Sequence, residues 1–134
     1  MKTVIAIIER GNDGRYSAYI EDTSYPYGII GTGATALEAE KDFRNGYEDM
    51  KRFVEESGEL FQEAEFVFKY DVPSFLQEFA FAFSLAGLER ITGINQKQLG
   101  HYISGYRHPT AKTVRKIESA IHSFSRQLEA VRFI

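Results

Sequence analysis

The spacing of apolar residues changes once along this chain of 134 residues. Before Asp71 it follows mainly the two-residue period of strands, broken by one helical stretch, and after Asp71 it is helical throughout. Thr3–Glu9 (TVIAIIE) is a nearly unbroken β-branched run, which predicts a strand covered on both faces. Gly11-Asn12-Asp13-Gly14 signals a hairpin, and Arg15–Glu21 then alternates, with Tyr16, Ala18 and Ile20 facing one way. Tyr25-Pro26-Tyr27-Gly28 interrupts the pattern, and Ile29–Gly33 predicts a short third strand. Thr35-x-x-Glu38 is a capping box opening a helix. Along that helix Ala36, Ala39, Phe43, Tyr47, Met50 and Val54 form one apolar stripe, with Gly58 as the stop. Glu65–Tyr70 alternates again as a last strand. The order β-β-β-α-β predicts one helix covering one face of a small sheet.

Asp71-Val72-Pro73 is the predicted joint, where strand periodicity gives way to helical periodicity. Ser74-x-x-Gln77 reads as a second capping box, followed by Phe75, Leu76, Phe79, Ala80 and Phe83 as an apolar helix. Everything beyond is predicted helical, interrupted only at Gly93 and at Gly105–Pro109. The last helix carries Val114, Ile117, Ile121, Phe124, Leu128 and Val131 on one stripe. The chain is therefore expected to be α+β, with an α+β domain over 1–70 and an all-α domain over 71–134.

Composition narrows the class. An apolar content of 43% with Phe 11 and Tyr 8 is enough for packed cores and excludes a disordered chain. Cys 0 excludes disulfides and thiolate metal sites. The opening MKTVIAIIERGNDG holds an apolar run too short for a signal sequence, and no stretch reaches the ~20 apolar residues of a membrane span. A cytoplasmic protein is expected. The net charge of -3 argues against a nucleic-acid binder until its distribution is considered. Residues 1–70 hold 8 Lys and Arg against 14 Asp and Glu, whereas residues 71–134 hold 8 against 5. From Asn95 to Lys116 there are five cations (Lys97, Arg107, Lys112, Arg115, Lys116) and two histidines, with no acid. Such asymmetry predicts an acidic partner for the second half.

Leu88 to Thr110 (LERITGINQKQLGHYISGYRHPT) carries the candidate chemistry. Gly93 can take the positive φ of a sharp turn between helices, Ile94 plugs beneath it, and Asn95 caps the next helix with Gln98 at its third position. Leu99 points inward and Gly105 ends the helix. Gln96, Lys97, Gln98 and His101 are then displayed outward. Amides and cations on an exposed helix suit the major groove, where Gln pairs with adenine and Lys reaches guanine. Tyr102 reads as core filler. Through Gly93-Ile94-Asn95-Gln96, Leu99, Gly105, Arg107 and Pro109 the segment resembles the helix-turn-helix of phage-repressor or XRE-like proteins. The resemblance implies base contacts from Gln96, Lys97 and His101, and phosphate contacts from the stretch Arg107 to Lys112. Together with Gln98, Thr110 and Lys116, these make up the candidate DNA-binding set. Glu89 stands where the family usually has Ala, and a carboxylate there needs a partner. The resemblance also implies a dimer on a pseudo-palindromic operator. Phe124, Leu128, Val131 and Phe133-Ile134 form either its interface or a stripe packed on their own domain.

The first half assembles no catalytic set. The three histidines all lie in the second half without metal-pair spacing, and no serine sits in a nucleophile elbow. Gly31-Thr32-Gly33 before a helix reads as a tight strand-to-helix turn rather than a phosphate cradle. No enzyme activity, cofactor or metal is expected. Instead DGRYSAYIED followed by Gly31, Gly33, Thr35, Glu38 and Ala39 and a long amphipathic helix resembles the HicB antitoxin family over roughly Met1 to Gly58. Ser24-Tyr25-Pro26-Tyr27-Gly28 replaces the family's usual Pro-Gly-Cys-type segment. The resemblance implies a degenerate, non-nucleolytic RNase H-like fold. It would mask a small HicA-type ribonuclease toxin, while the second half represses the operon. An acidic surface would complement such a basic toxin, and Tyr19, Glu21, Asp22, Tyr25 and Tyr27 are the candidate contacts. Two other readings stand beside this one. One is a free-standing repressor whose first domain binds a small ligand or dimerises; the other is a nuclease retaining RNase H-like chemistry.

Overall fold

The computed structural model describes residues 1–134. The chain is α+β, with a four-stranded mixed sheet and five helices, and divides into two compact units, Met1–Ser74 and Phe75–Ile134.

In the first unit β1 (Lys2–Arg10), β2 (Tyr16–Ile20) and β3 (Ile30–Gly33) precede α1 (Ala36–Glu56), and β4 (Ala64–Tyr70) follows it. The sheet order is β3-β2-β1-β4, with β1 and β4 parallel and the other pairs antiparallel. The β1–β2 turn is closed by the Gly11 amide on the Arg15 carbonyl at 2.7 Å and by the Asp13 carboxylate, which accepts from the Arg15 amide. Helix α1 starts where Thr35 accepts from the Glu38 amide. The Glu38 carboxylate reaches back to the Ala34 amide rather than to that of Thr35, closing the box one residue early. Val4, Ala6, Ile8, Tyr16 and Ala18 from the strands meet Ala36, Ala39 and Phe43 from α1 in one apolar cluster. Gly31 and Gly33 set the separation: a Cβ on Gly31 would collide with the Ala39 carbonyl and the Phe43 amide, and one on Gly33 with Glu38 and the Ala39 amide. Their role is close approach of helix to strand.

The run Thr3–Glu9 is buried on one face only. Val4, Ala6 and Ile8 lie under α1, while Ile5 and its β4 neighbour Val67 are 41% and 45% exposed. The β-branched run reported strand propensity, and it did not report how many layers would cover the strand.

The helices that follow β4 differ from expectation at their start, which still belongs to the first unit. Helix α2 (Val72–Glu78) begins before Ser74, and the Asp71 carboxylate accepts from the Ser74 amide at 2.8 Å. Asp71 is thus the cap, with Pro73 tolerated in the first turn. The Ser74 hydroxyl accepts from the Arg10 amide, and Gln77 donates to the Ile103 carbonyl, so the S-x-x-Q pattern is not a capping box. Helix α2 ends near Phe79 instead of running to Phe83. A new helix, α3 (Leu85–Thr92), starts where Ser84 accepts from the Gly87 amide. Helices α4 (Gln96–Ser104) and α5 (Ala111–Glu129) complete the chain. Leu76, Leu88, Ile94, Leu99, Tyr102 and Ile117 are the buried apolar residues of the second unit. Val131 lies beyond the end of α5, and Leu128 is 57% exposed. No helix is long and apolar enough to cross a membrane.

Candidate nucleic-acid interface

Three residues join α3 to α4. Gly93 takes φ 74°, its amide returning to the Glu89 carbonyl, and Ile94 is buried beneath the turn. Helix α4 is then capped twice. Asn95 accepts from the Lys97 amide at 2.8 Å, and the Glu89 carboxylate accepts from the Gln96 amide at 2.9 Å. Glu89 therefore finds its partner across the turn. A carboxylate on the first amide of a helix is favoured by the helix dipole as well as by the hydrogen bond. On residues 96 and 97 both caps engage only the backbone amides, which leaves the Gln96 and Lys97 side chains free and exposed.

The remaining candidates are distributed unevenly around this face. Gln98 is half-buried and donates to the Tyr102 hydroxyl at 3.0 Å, so it supports the core instead of joining the outward set. Tyr102 is buried. His101 is partly buried, and its Nδ1 atom is enclosed without a hydrogen-bond partner. Its ring meets Tyr106 edge-on, with centroids 4.9 Å apart. Arg107 is exposed, with its guanidinium 5.5 Å from the centre of the Tyr106 ring. Thr110 caps α5 through the Thr113 amide. Lys112 and Lys116 are exposed on the first two turns of α5, and the Lys116 ammonium lies beside Gly93. Tyr106 was missed by sequence reading. Its only signal was an aromatic after the helix-ending Gly105, a place where solvent exposure is common.

In the first unit the candidate contact residues separate into two groups. Tyr25 is only 5% exposed, and its hydroxyl donates to the Gln62 carbonyl, while the Tyr27 hydroxyl accepts from the Gln62 amide. Tyr27 also stacks on Phe61 at 4.7 Å. Both tyrosines close the core and pin the α1–β4 connection, which leaves Tyr25 little surface for contact and ties up Tyr27. Burial pushes the Tyr25 hydroxyl up to about 12. Tyr19, Glu21 and Asp22 stay at the surface. Tyr19 donates to Glu9 at 2.8 Å, and this bond, more than burial, raises its pKa to about 12. The Ser24 hydroxyl and amide hold the Asp22 carboxyl below its usual value. All five candidates, Tyr19, Glu21, Asp22, Tyr25 and Tyr27, border a concavity of about 450 Å³ at the β2–β3 loop, Tyr25 only through its small exposed edge.

Comparison with protein-family models, curated proteins and solved structures finds no match for this chain.

Proposed function

We propose that this chain is an antitoxin-type transcriptional autoregulator. Its second unit binds operator DNA through a helix-turn-helix, α3 and α4, and its first unit, a degenerate RNase H-like domain, neutralises a HicA-like ribonuclease toxin. The observation that carries this reading is the double cap on α4. It leaves Gln96 and Lys97 exposed at the start of a helix within a stretch, Asn95 to Lys116, that contains no acid of its own, and the Glu89 carboxylate beside it is engaged as a cap. Gln and Lys at the start of an exposed helix supply the donors and acceptors that read base edges. Arg107, Lys112, Arg115 and Lys116 supply phosphate contacts. The acidic first unit, through Tyr19, Glu21 and Asp22, suits a basic partner. A homodimer follows from two-fold operator symmetry, with the exposed end of the α5 stripe as its interface.

The DNA arm is tested by selecting duplexes from a random-sequence pool with the full chain, then measuring affinity for the enriched duplex against salt. With about six phosphates neutralised, log affinity should fall with log salt at a slope near −5. Absence of a salt-sensitive complex overturns it. The toxin arm is tested by co-expression with a small basic HicA-type toxin, where restored growth and a purified complex are expected. A free-standing repressor would show the first result without the second.

A further inference from the structure

Tyr106 has no part in the DNA-binding set described above, yet it is the aromatic most exposed beside that set, at 72%. Its position is fixed by backbone geometry. Gly105 takes φ 80° and returns its amide to the Tyr102 carbonyl, and the Arg107 amide returns to the His101 carbonyl at 3.2 Å. The Tyr106 amide donates to the Ser104 hydroxyl. From this closed turn the Tyr106 ring contacts two side chains, meeting the His101 ring in an edge-type geometry at 4.9 Å and lying under the Arg107 guanidinium at 5.5 Å. A ring left in solvent gains nothing from burial, so its energetic role lies in what it holds. A guanidinium within about 6 Å of an aromatic centroid is held by the ring quadrupole. A long side chain otherwise loses its rotamer freedom on reaching a phosphate.

We infer that Tyr106 is a positioning residue: its ring holds the Arg107 guanidinium at the end of α4 in the orientation that grips a DNA phosphate. This rests on the DNA-binding reading, and goes beyond it by assigning the grip to a pair. The hydroxyl of Tyr106 is not needed for it; the ring is. Phe at this position keeps the ring, and Leu removes it with little effect on a side chain so exposed.

The experiment compares the full chain, Tyr106→Phe, Tyr106→Leu, Arg107→Ala and the double variant Tyr106→Leu/Arg107→Ala on the enriched duplex over a range of salt. Tyr106→Phe should bind as the parent does. Tyr106→Leu should bind about fivefold more weakly near 0.1 M salt, with a shallower slope approaching the loss of about 0.9 expected for one phosphate contact. The double variant should be no weaker than Arg107→Ala alone, since both substitutions remove one grip. Equal loss in Tyr106→Phe and Tyr106→Leu would make the hydroxyl the contact and overturn the inference. So would an unchanged slope in Tyr106→Leu, or additive losses in the double variant. A parent chain that shows no salt-sensitive complex would instead defeat the DNA-binding reading itself, which keeps the two failures apart.

Discussion

Replacing Gln96 and Lys97 together by alanine is expected to weaken binding to the enriched duplex about a hundredfold while leaving the fold intact. Each good pairing to a base edge contributes about 1–3 kcal/mol of discrimination, and two of them reach a hundredfold in affinity. The fold is spared because the bonds that start α4 run through backbone amides. Glu89 still accepts from the amide of residue 96, and Asn95 from that of residue 97, whatever side chains these residues carry. Alanine is also a better helix former than either, so the stability should change by no more than exposed substitutions allow, about 0.5 kcal/mol each, and the melting temperature by only a few degrees. Affinity by fluorescence anisotropy and melting by circular dichroism check the two halves of this expectation. A loss smaller than threefold, or one that appears only with a lowered melting temperature, would remove these side chains from the interface.

The second large effect is expected far from that interface, in Gly31→Ala. The added Cβ would meet the backbone of α1 at Ala39 and Phe43, where no side-chain rotation can relieve it. Helix and strand must then part, loosening the fully buried Phe43 from the sheet. Overpacking of this kind costs about 3 kcal/mol, at the upper end of its usual range because backbone is the obstacle. For a unit of this size that corresponds to a fall of roughly 12–24 °C in its melting temperature. Gly28→Ala is the control, since nothing lies within 4 Å of its added Cβ. Differential scanning calorimetry of the full chain should show the transition of the first unit lowered in Gly31→Ala and unmoved in Gly28→Ala. Equal stability of the two variants would mean that α1 does not lie directly on β3.

The strands and α1 were legible because local signals agree there. Period-two alternation, the Gly11–Gly14 turn and the Thr35 cap all point to the same elements, and the structure contains them. Legibility fell where the outcome depends on what lies opposite in space. Ile5 and Ile8 look alike in the run Thr3–Glu9, yet only Ile8 meets α1. Ser74-x-x-Gln77 has a capping pattern, but Asp71 sits three residues earlier and takes the amide first, freeing Ser74 to bond Arg10. The break between α2 and α3 is hidden because Phe79, Ala80 and Phe83 continue the helical apolar rhythm through it. At the candidate interface, Gly93, Ile94 and Asn95 could be read locally. The partner of Glu89 could not, because it lies across a turn whose shape had to be known. Tyr25 and Tyr27 show the same limit: a tyrosine beside a proline can face either way, and here both hydroxyls find the backbone of Gln62.

The most direct measurement for the role of α4 is an NMR titration of the ¹⁵N-labelled full chain with the enriched duplex. The largest amide shift changes are predicted at Gln96, Lys97 and His101, with a second group at Arg107 to Lys112 and residues 1–70 unmoved. Changes concentrated in residues 1–70, with α4 silent, would contradict it.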